Sequence, residues 1–378
     1  MARDSLFGET ILWSGRPSVV STPLAFRLTA LVAAVLSLVT LSFGIVVGTA
    51  FQAHVGGMFA FSAWCATLAL GSLHLPRIWR SGIEYIVTET HVIWRRGPLR
   101  RSIERSAISY ALIRWDAHVS GAGDLLLVRA VPTGALRRTL RLSLVGVVGP
   151  DRLWAIVRGL IPPAPLGDGG RPLTQRLDPG ERVLWSAMPL AAPWTVRRTM
   201  TAAVALFLAL SSARMLTRSV PPLHRVIRLH ALPTPSLVLF VAAVALSVAL
   251  LAAVAAGVGY AACIRPLRLS RSTRYFVTDQ RVLIRRGHEE LHLDRARIAY
   301  VIFRPSRRVR GMTGAKPGDL NDVFLVLDGP HARAFASSGA FGESSGEALV
   351  PVFSSIEDAE TVGVLLGPTE GEPLRRAA

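Results

Sequence analysis

Apolar residues are distributed along this chain in two distinct ways. The first is two long blocks without charge: no Asp, Glu, Lys or Arg occurs from Leu28 to Pro76 or from Leu229 to Ile264. A helix of ~20 apolar residues is enough to cross a bilayer. The first block is too long for one span and breaks near Gln52-Ala53-His54-Val55-Gly56-Gly57, which predicts helices over 24–50 and 57–76. A second pair is predicted over 198–216 and 236–262. The weakest of the four is 198–216, because Thr199 to Ala213 is short and is followed by Arg214, an arginine able to snorkel to the headgroups. The second distribution is short alternating runs. Alternation is visible in Ile83, Tyr85 and Val87 and in Val92 and Trp94, with a tight turn at Glu89-Thr90 and a stop at Arg96-Gly97-Pro98; period two marks a half-buried strand. Further strands are expected at Ile108–Trp115, Leu125–Val128, Thr139–Val145, Ile298–Phe303 and Val323–Leu327, with another apolar strand-like run at Leu349–Val352. Pro150–Val157 and Ile356–Leu366 carry helical spacing, the latter opened by Glu357-Asp358, acidic residues that suit a helix N-terminus.

The pattern occurs twice. Gly8-Glu9-Thr10-Ile11-Leu12-Trp13-Ser14 returns as Gly180-Glu181-Arg182-Val183-Leu184-Trp185-Ser186. Tyr85-Ile86-Val87-Thr88 followed by Val92-Ile93-Trp94-Arg95-Arg96-Gly97 returns as Tyr275-Phe276-Val277-Thr278 followed by Val282-Leu283-Ile284-Arg285-Arg286-Gly287. Each copy is a short N-terminal segment, a membrane hairpin and a β-rich domain, and such a duplication constrains the fold more than any single motif. The boundaries read as an N-terminal segment 1–23, hairpin 24–76, β-domain 80–162, linker 163–175, repeated N-terminal segment 176–197, hairpin 198–262, β-domain 270–366 and tail 367–378. The linker is rich in Pro and Gly, and Ser337–Gly346 reads as a Ser/Gly loop.

Charge sets an orientation. The net charge is +18, and Lys316 is the only lysine. So basic a chain invites a nucleic-acid reading, but arginines beside spans are explained by the positive-inside rule. The first hairpin loop has no Arg or Lys, while its flanks carry Arg16, Arg27, Arg77 and Arg80. The second loop holds Arg218, Arg225 and Arg228, outnumbered by flanking Arg197, Arg198, Arg265, Arg268, Arg271 and Arg274. Both hairpins are therefore expected in the same sense, with the β-domains and termini in the cytoplasm. Charges before the first apolar run, and the length of that run, argue against a cleaved signal peptide. Cys65 and Cys263 lie in or beside apolar spans and form neither a disulfide framework nor a thiolate metal site.

The opening Gly-Glu-x-x-Leu-Trp, the Tyr-x-Val-Thr-[Glu/Asp]-x-[His/Arg]-Val-[Ile/Leu] stretch, Arg-Arg-Gly, and Gly-Asp-Leu at Gly123-Asp124-Leu125 and Gly318-Asp319-Leu320 together resemble the bacterial membrane-flanked PH-like (pleckstrin-homology-like) domain family. The second copy matches better; the first departs at Glu89 and His91. The resemblance implies an α+β membrane protein of two repeats, each a transmembrane hairpin followed by a PH-like β-barrel capped by a C-terminal helix and facing the cytoplasm of a bacterium. It implies no enzymatic activity, catalytic residue or cofactor. The long basic loop with which many PH domains hold phosphoinositides would here be the tight Glu89-Thr90 or Asp279-Gln280 turn, so that mode of binding does not carry over.

Several motifs invite chemistry. His288-Glu289-Glu290-Leu291-His292 is a literal H-E-x-x-H, but zinc proteases need it on a helix. Here it leaves a strand, where positions i and i+4 lie ~13 Å apart and cannot share a metal bound at ~2 Å. Gly342-Glu343-Ser344-Ser345-Gly346 matches a nucleophile elbow without the strand–helix junction that motif needs. Gly44 and Gly48, and Gly257 with its Ala/Gly neighbours, give the small-residue spacing that lets helices approach. Arg304, Arg307, Arg308 and Arg310, together with Arg95 and Arg96 among the first-copy arginines, are candidate contacts for an anionic ligand or leaflet, against the plainer reading of solvated charge. Trp13 and Trp185 either belt the interface or carry a strand added to the barrel of their own copy. The expected function is a non-catalytic scaffold for a protein or peptide partner, or for self-association; the alternatives are sensing of anionic lipid or envelope state and, remotely, membrane hydrolysis. Nucleic acid is not an expected partner.

Overall fold

The computed structural model describes residues 9–18, 22, 24–52, 54–131, 138–160, 172–190, 196–229, 234–305, 320–327 and 349–367. Arg307, Arg308, Arg310, Lys316, the Gly318-Asp319 pair, the Ser/Gly loop with its G-x-S-x-G and the C-terminal tail lie outside the described residues. Among the described residues, four helices are long and apolar enough to cross a membrane: Ala25–Thr49, Gly56–Ser81, Arg198–Pro221 and Val244–Arg271. At most 17% of the apolar window of any of them is buried within the protein, so their apolar sides face outward, as lipid-facing helices require.

The first helical pair is α1 (Leu24–Phe51) and α2 (Gly56–Ser81). Ser37 and Ser62 exchange hydroxyl-to-carbonyl hydrogen bonds of 2.9 Å each way. A Cβ on Gly44 would lie 3.3 Å from the Met58 Cβ, and one on Gly48 would lie 3.2 Å from Val55 Cγ2. Both glycines therefore serve close packing inside this hairpin. The second pair is α4 (Val196–Leu229) and α5 (Thr234–Gly259), extended by a π-helical turn (Tyr260–Ile264) and α6 (Arg265–Arg271). The expected end at 216 is overrun: Arg218, Arg225 and Arg228 lie within α4 rather than in a loop, consistent with the good helix propensity of arginine. Nothing lies within 4 Å of a Cβ on Gly257; the close approach is at Gly259, 3.7 Å from Ala205. The π turn frees carbonyls, and the buried Arg198 donates to those of Ala262 (2.6 Å) and Cys263 (3.1 Å).

The strands are β1 (Ile11–Gly15), β2 (Glu84–Thr88), β3 (His91–Arg96), β4 (Leu99–Glu104), β5 (Tyr110–Trp115), β6 (Ala122–Val131) and β7 (Arg138–Val148), then helix α3 (Pro150–Arg158). The second half runs β8 (Val183–Ala187), the helices above, β9 (Thr273–Thr278), β10 (Arg281–Arg286), β11 (Glu289–Asp294), β12 (Ile298–Pro305), β13 (Asn321–Leu327), β14 (Val352–Ile356) and α7 (Ala359–Leu366). Element order is the same in the two halves. The tryptophan segments are strands: Trp13 pairs with Val87 and Trp185 with Val277, antiparallel. The closing strand β14 runs to Ile356, so α7 begins at Ala359 rather than at Ile356.

Sheet connectivity departs from the expectation of two barrels. Among the described residues no barrel closes. The sheets are β1-β2-β3-β4, β7-β6-β5-β11-β10-β9-β8 and β12-β13-β14. The reason is where β5 spends its two edges. One pairs with β6 and the other with β11 of the second half, with Leu112 opposite Leu291 and Arg114 opposite Glu289. A seven-stranded central sheet thus runs through both halves. The alternation of β5 divides it between two cores. Ala111, Ile113 and Trp115 enter the first core with Tyr85, Val92, Leu125 and Leu153. Tyr110 and Leu112 enter the second with Val277, Leu291, Leu325 and Phe353. A strand buried on both faces reads as a run of consecutive apolar residues, as Tyr110-Ala111-Leu112-Ile113 does before the exposed Arg114.

Candidate functional site

The repeated motif residues close each half onto its own N-terminal strand. Thr88 and Thr278 form hydroxyl turns, accepting from the backbone N–H of His91 and Arg281 at 2.9 Å each. Glu9, from the opening motif, accepts from Thr90 Oγ1 at 2.5 Å and lies 3.5 Å from His91 Nδ1. Its pKa is lowered, first by hydrogen bonding to Thr88 and Thr90. Glu181 does the same in the second half, accepting from Thr278 Oγ1 (2.6 Å) and from Arg281 Nε (2.9 Å) and Nη2 (2.7 Å). Burial pushes Glu181 up, and the Arg281 and Thr278 hydrogen bonds outweigh it, leaving a lowered pKa. The glutamate of Gly-Glu-x-x-Leu-Trp is therefore a latch for the hairpin β2–β3 or β9–β10.

A second device holds the far end of each half. Gly146 (φ +68°) and Ser355 (φ +53°) are left-handed residues at corresponding bends. Asp124 Oδ1 accepts from the Gly146 N–H and Asp322 Oδ1 from the Ser355 N–H, both at 2.8 Å. The tyrosines of the Tyr-x-Val-Thr stretch sit beside them: Tyr85 hydroxyl accepts from Val145 N–H at 2.9 Å, and Tyr275 from Ser354 N–H at 3.1 Å. Burial pushes both phenols up to about 12. The carbonyls of Gly146 and Ser355 in turn accept from the N–H of Ser18 and Leu190, fixing the segment that leads into each helical pair. The counterpart of Asp124 is thus Asp322, not the Asp319 of the second Gly-Asp-Leu. Sequence matching chose the tripeptide; geometry chooses the carboxylate two residues after Leu320.

The H-E-x-x-H begins at His288 in the β10–β11 turn and runs on along β11, whose residues point alternately to opposite faces. Leu291 and Leu293 enter the second core. Glu290 and His292 face the other way, under α3 and the segment Leu173–Glu181. There Arg176 makes a bidentate pair with Glu290, one arm at 3.0 Å, both side chains almost wholly buried. Arg281 joins Glu181 and lies 3.5 Å from Asp178. Arg158 of α3 spans Asp178 (2.8 Å) and Asp294 (3.1 Å). Burial would raise Glu290, but the neighbouring His292 ring and the Arg176 hydrogen bonds lower it to about 2. Burial lowers His292, against the opposing pull of Glu290 3.6 Å away. This cluster locks the first half to the second through residues that read as linker and repeated N-terminal segment. Among the described residues, no cluster of three or more His, Cys, Asp or Glu is arranged to hold a metal ion.

Two cavities adjoin these features. One of about 20 Å³ lies within the ionic cluster, lined by Asp151, Trp154, Arg176 and His292 among others. Another of about 90 Å³ lies beside the β5–β11 junction, lined by Arg114, Asp124, Ser143 and Glu289 among others. Both are well below the ~300 Å³ of a typical small-molecule site. Of the basic candidates, Arg95 is exposed on β3 and Arg96 is half-buried, its guanidinium 3.4 Å above the Trp79 ring. Arg304 falls at the end of β12, opposite Asp322 in backbone register. Sequence reasoning missed the Arg176–Glu290 and Arg281–Glu181 pairs, because their members lie 114 and 100 residues apart.

No protein-family model, curated protein or solved structure matches this chain.

Proposed function

We propose that the chain is a non-catalytic membrane platform of a bacterial inner membrane. Four spans would hold two PH-like halves, fused into one cytoplasmic body that docks a protein or peptide partner. The observation that carries this reading is the junction. A shared sheet and a buried ionic lock give the two halves a fixed relative position, which suits a surface built to present contacts at set spacing. The duplicated motif supports the PH-like assignment, since its glutamates, threonines, tyrosines and aspartates perform the same tasks in both halves. The arginines flanking the first hairpin support the cytoplasmic orientation. The H-E-x-x-H offers a hydrolase no support, because its second histidine and second glutamate are committed to the ionic lock.

The test is photo-crosslinking in native membranes from a reactive residue placed at Tyr300 on β12, which is 50% exposed, followed by affinity purification and identification of adducts. A discrete, reproducible protein adduct, displaced by excess unlabelled chain, is the expected result. Adducts only with lipid or bulk membrane protein would refute the reading.

A further inference from the structure

The two halves carry the same β-hairpin at the same place, with differently charged outer strands: Leu-Arg-Arg-Ser-Ile-Glu in the first and Glu-Glu-Leu-His-Leu-Asp in the second. In the second half the β10–β11 turn abuts the end of the helical pair, the Gly287 N–H lying 3.4 Å from the Ser272 carbonyl. Its arginines are matched by carboxylates: Arg286 meets Glu289 at 2.7 Å and Arg285 approaches Glu290 at 3.8 Å. Its outer strand is covered by β5. In the first half the β3–β4 turn abuts the end of α2, where Arg96 reaches across Gly82 (a Cβ there would lie 3.5 Å from its Nε) to stack on Trp79. Leu99, Arg100 and Arg101 stand where the second half has Glu289, Glu290 and Leu291. Arg95 and Arg100 are directly opposite each other, which concentrates positive charge at the tip. Arg95, Leu99, Arg100 and Arg101 are all exposed. Trp79 and Ile78 beside them, in the last turn of a predicted span, are 52% and 66% exposed. Among the described residues, no strand covers the outer edge of β4.

A basic hairpin tip bearing one apolar side chain, stacked on an exposed tryptophan at a span end, has the composition and depth of an interfacial contact. We infer that the β3–β4 tip, Arg95 to Arg101, seats on the membrane leaflet by binding anionic lipid headgroups, and that the β10–β11 tip does not. Arg96 is the positioning residue, pinning the tip to α2, while Arg95, Arg100 and Arg101 meet the phosphates and Leu99 enters the headgroup layer. The inference rests on the four helices as spans and is independent of any protein partner.

The test uses the full chain, with Cys65 and Cys263 replaced by alanine and a single Leu99→Cys carrying an environment-sensitive fluorophore. It is reconstituted in nanodiscs of phosphatidylcholine, with or without phosphatidylglycerol, and read by quenching from headgroup-level spin-labelled lipid. Quenching should rise when anionic lipid is present. Arg95→Gln, Arg100→Gln and Arg101→Gln together should weaken the contact on the order of a hundredfold, about fivefold per arginine. A probe at His288→Cys should show no dependence on anionic lipid. Equal quenching of the Leu99 probe in both bilayers would overturn the inference. So would a response from the His288 probe equal to that at Leu99, or quenching untouched by the three substitutions in a variant that still inserts. A Leu99 probe silenced in native membranes by a bound protein would likewise overturn it.

Discussion

At the scale of single residues, two glutamates in the same motif perform one task in different surroundings. The Glu181 side chain is fully buried and its partner Arg281 nearly so, whereas Glu9 is partly exposed and faces a histidine. Breaking a buried pair strands a charge, and breaking an exposed one strands nothing. Glu181→Gln is therefore expected to destabilise the β body by about 3 kcal/mol, seen as a lower thermal midpoint of protease resistance, while Glu9→Gln shifts it little. The lock also fixes a pH response. His292 is held below its ordinary 6.5 by burial, so the unfolded chain takes up its proton first and stability falls as pH drops below about 6.5. Glu290, lowered from 4.5 to about 2, contributes stability fully present above 4.5, lost as pH falls from there towards 2. Protease resistance of the second half should decline in those two steps on acidification, and His292→Gln should remove the upper one; a profile flat from pH 7 to 3 would contradict the assignment.

At the scale of elements, what the sequence disclosed depended on whether the deciding contacts were local. The four spans, the β2–β3 and β9–β10 hairpins and the helix α3 rest on short-range periodicity and turn chemistry, whereas the tryptophan segments, readable either as interfacial belts or as strands, were decided by distant pairing with Val87 and Val277. The former were legible within a few residues. Strand β4 was not, because Leu-Arg-Arg-Ser-Ile-Glu buries only Ile103 and shows no apolar alternation. The role of β11 was legible only in part. Its alternation marked a strand, but the glutamates that make it look like a metal motif answer to Arg114 and Arg176, far away in the chain. The four consecutive apolar residues Tyr110 to Ile113, interrupted only at Arg114, were the one local sign that β5 is buried on both faces. Leu291 sits opposite Leu112 and wholly within the second core, so Leu291→Ala should cost about 2–5 kcal/mol. Because β5 serves both cores, limited proteolysis of that variant should open sites in 110–128 as well as in 282–294. Cleavage confined to the second half would show that the two halves stand independently.

At the scale of the whole molecule, the two halves that share sequence motifs are built into one asymmetric sheet system. Equivalent strands β4 and β11 have unlike neighbours: β11 is an interior strand of a seven-stranded sheet, and β4 is an edge. The linker that separates the halves in sequence leads into a segment whose Asp178, with Asp294 of β11, pairs with Arg158 of α3 and so ties the halves together. One connected body follows, with a basic β3–β4 tip on the first half and a β10–β11 tip with carboxylates beside its arginines on the second. Hydrogen–deuterium exchange of the full chain in nanodiscs tests this most directly, since the two equivalent strands serve as each other's reference. Slow exchange throughout Glu289–Asp294 and Tyr110–Trp115, with rapid exchange at the outward amides of Leu99–Glu104, is the predicted result. Exchange in Glu289–Asp294 as rapid as in Leu99–Glu104 would mean that β5 does not cover β11, and that the two halves are separate domains.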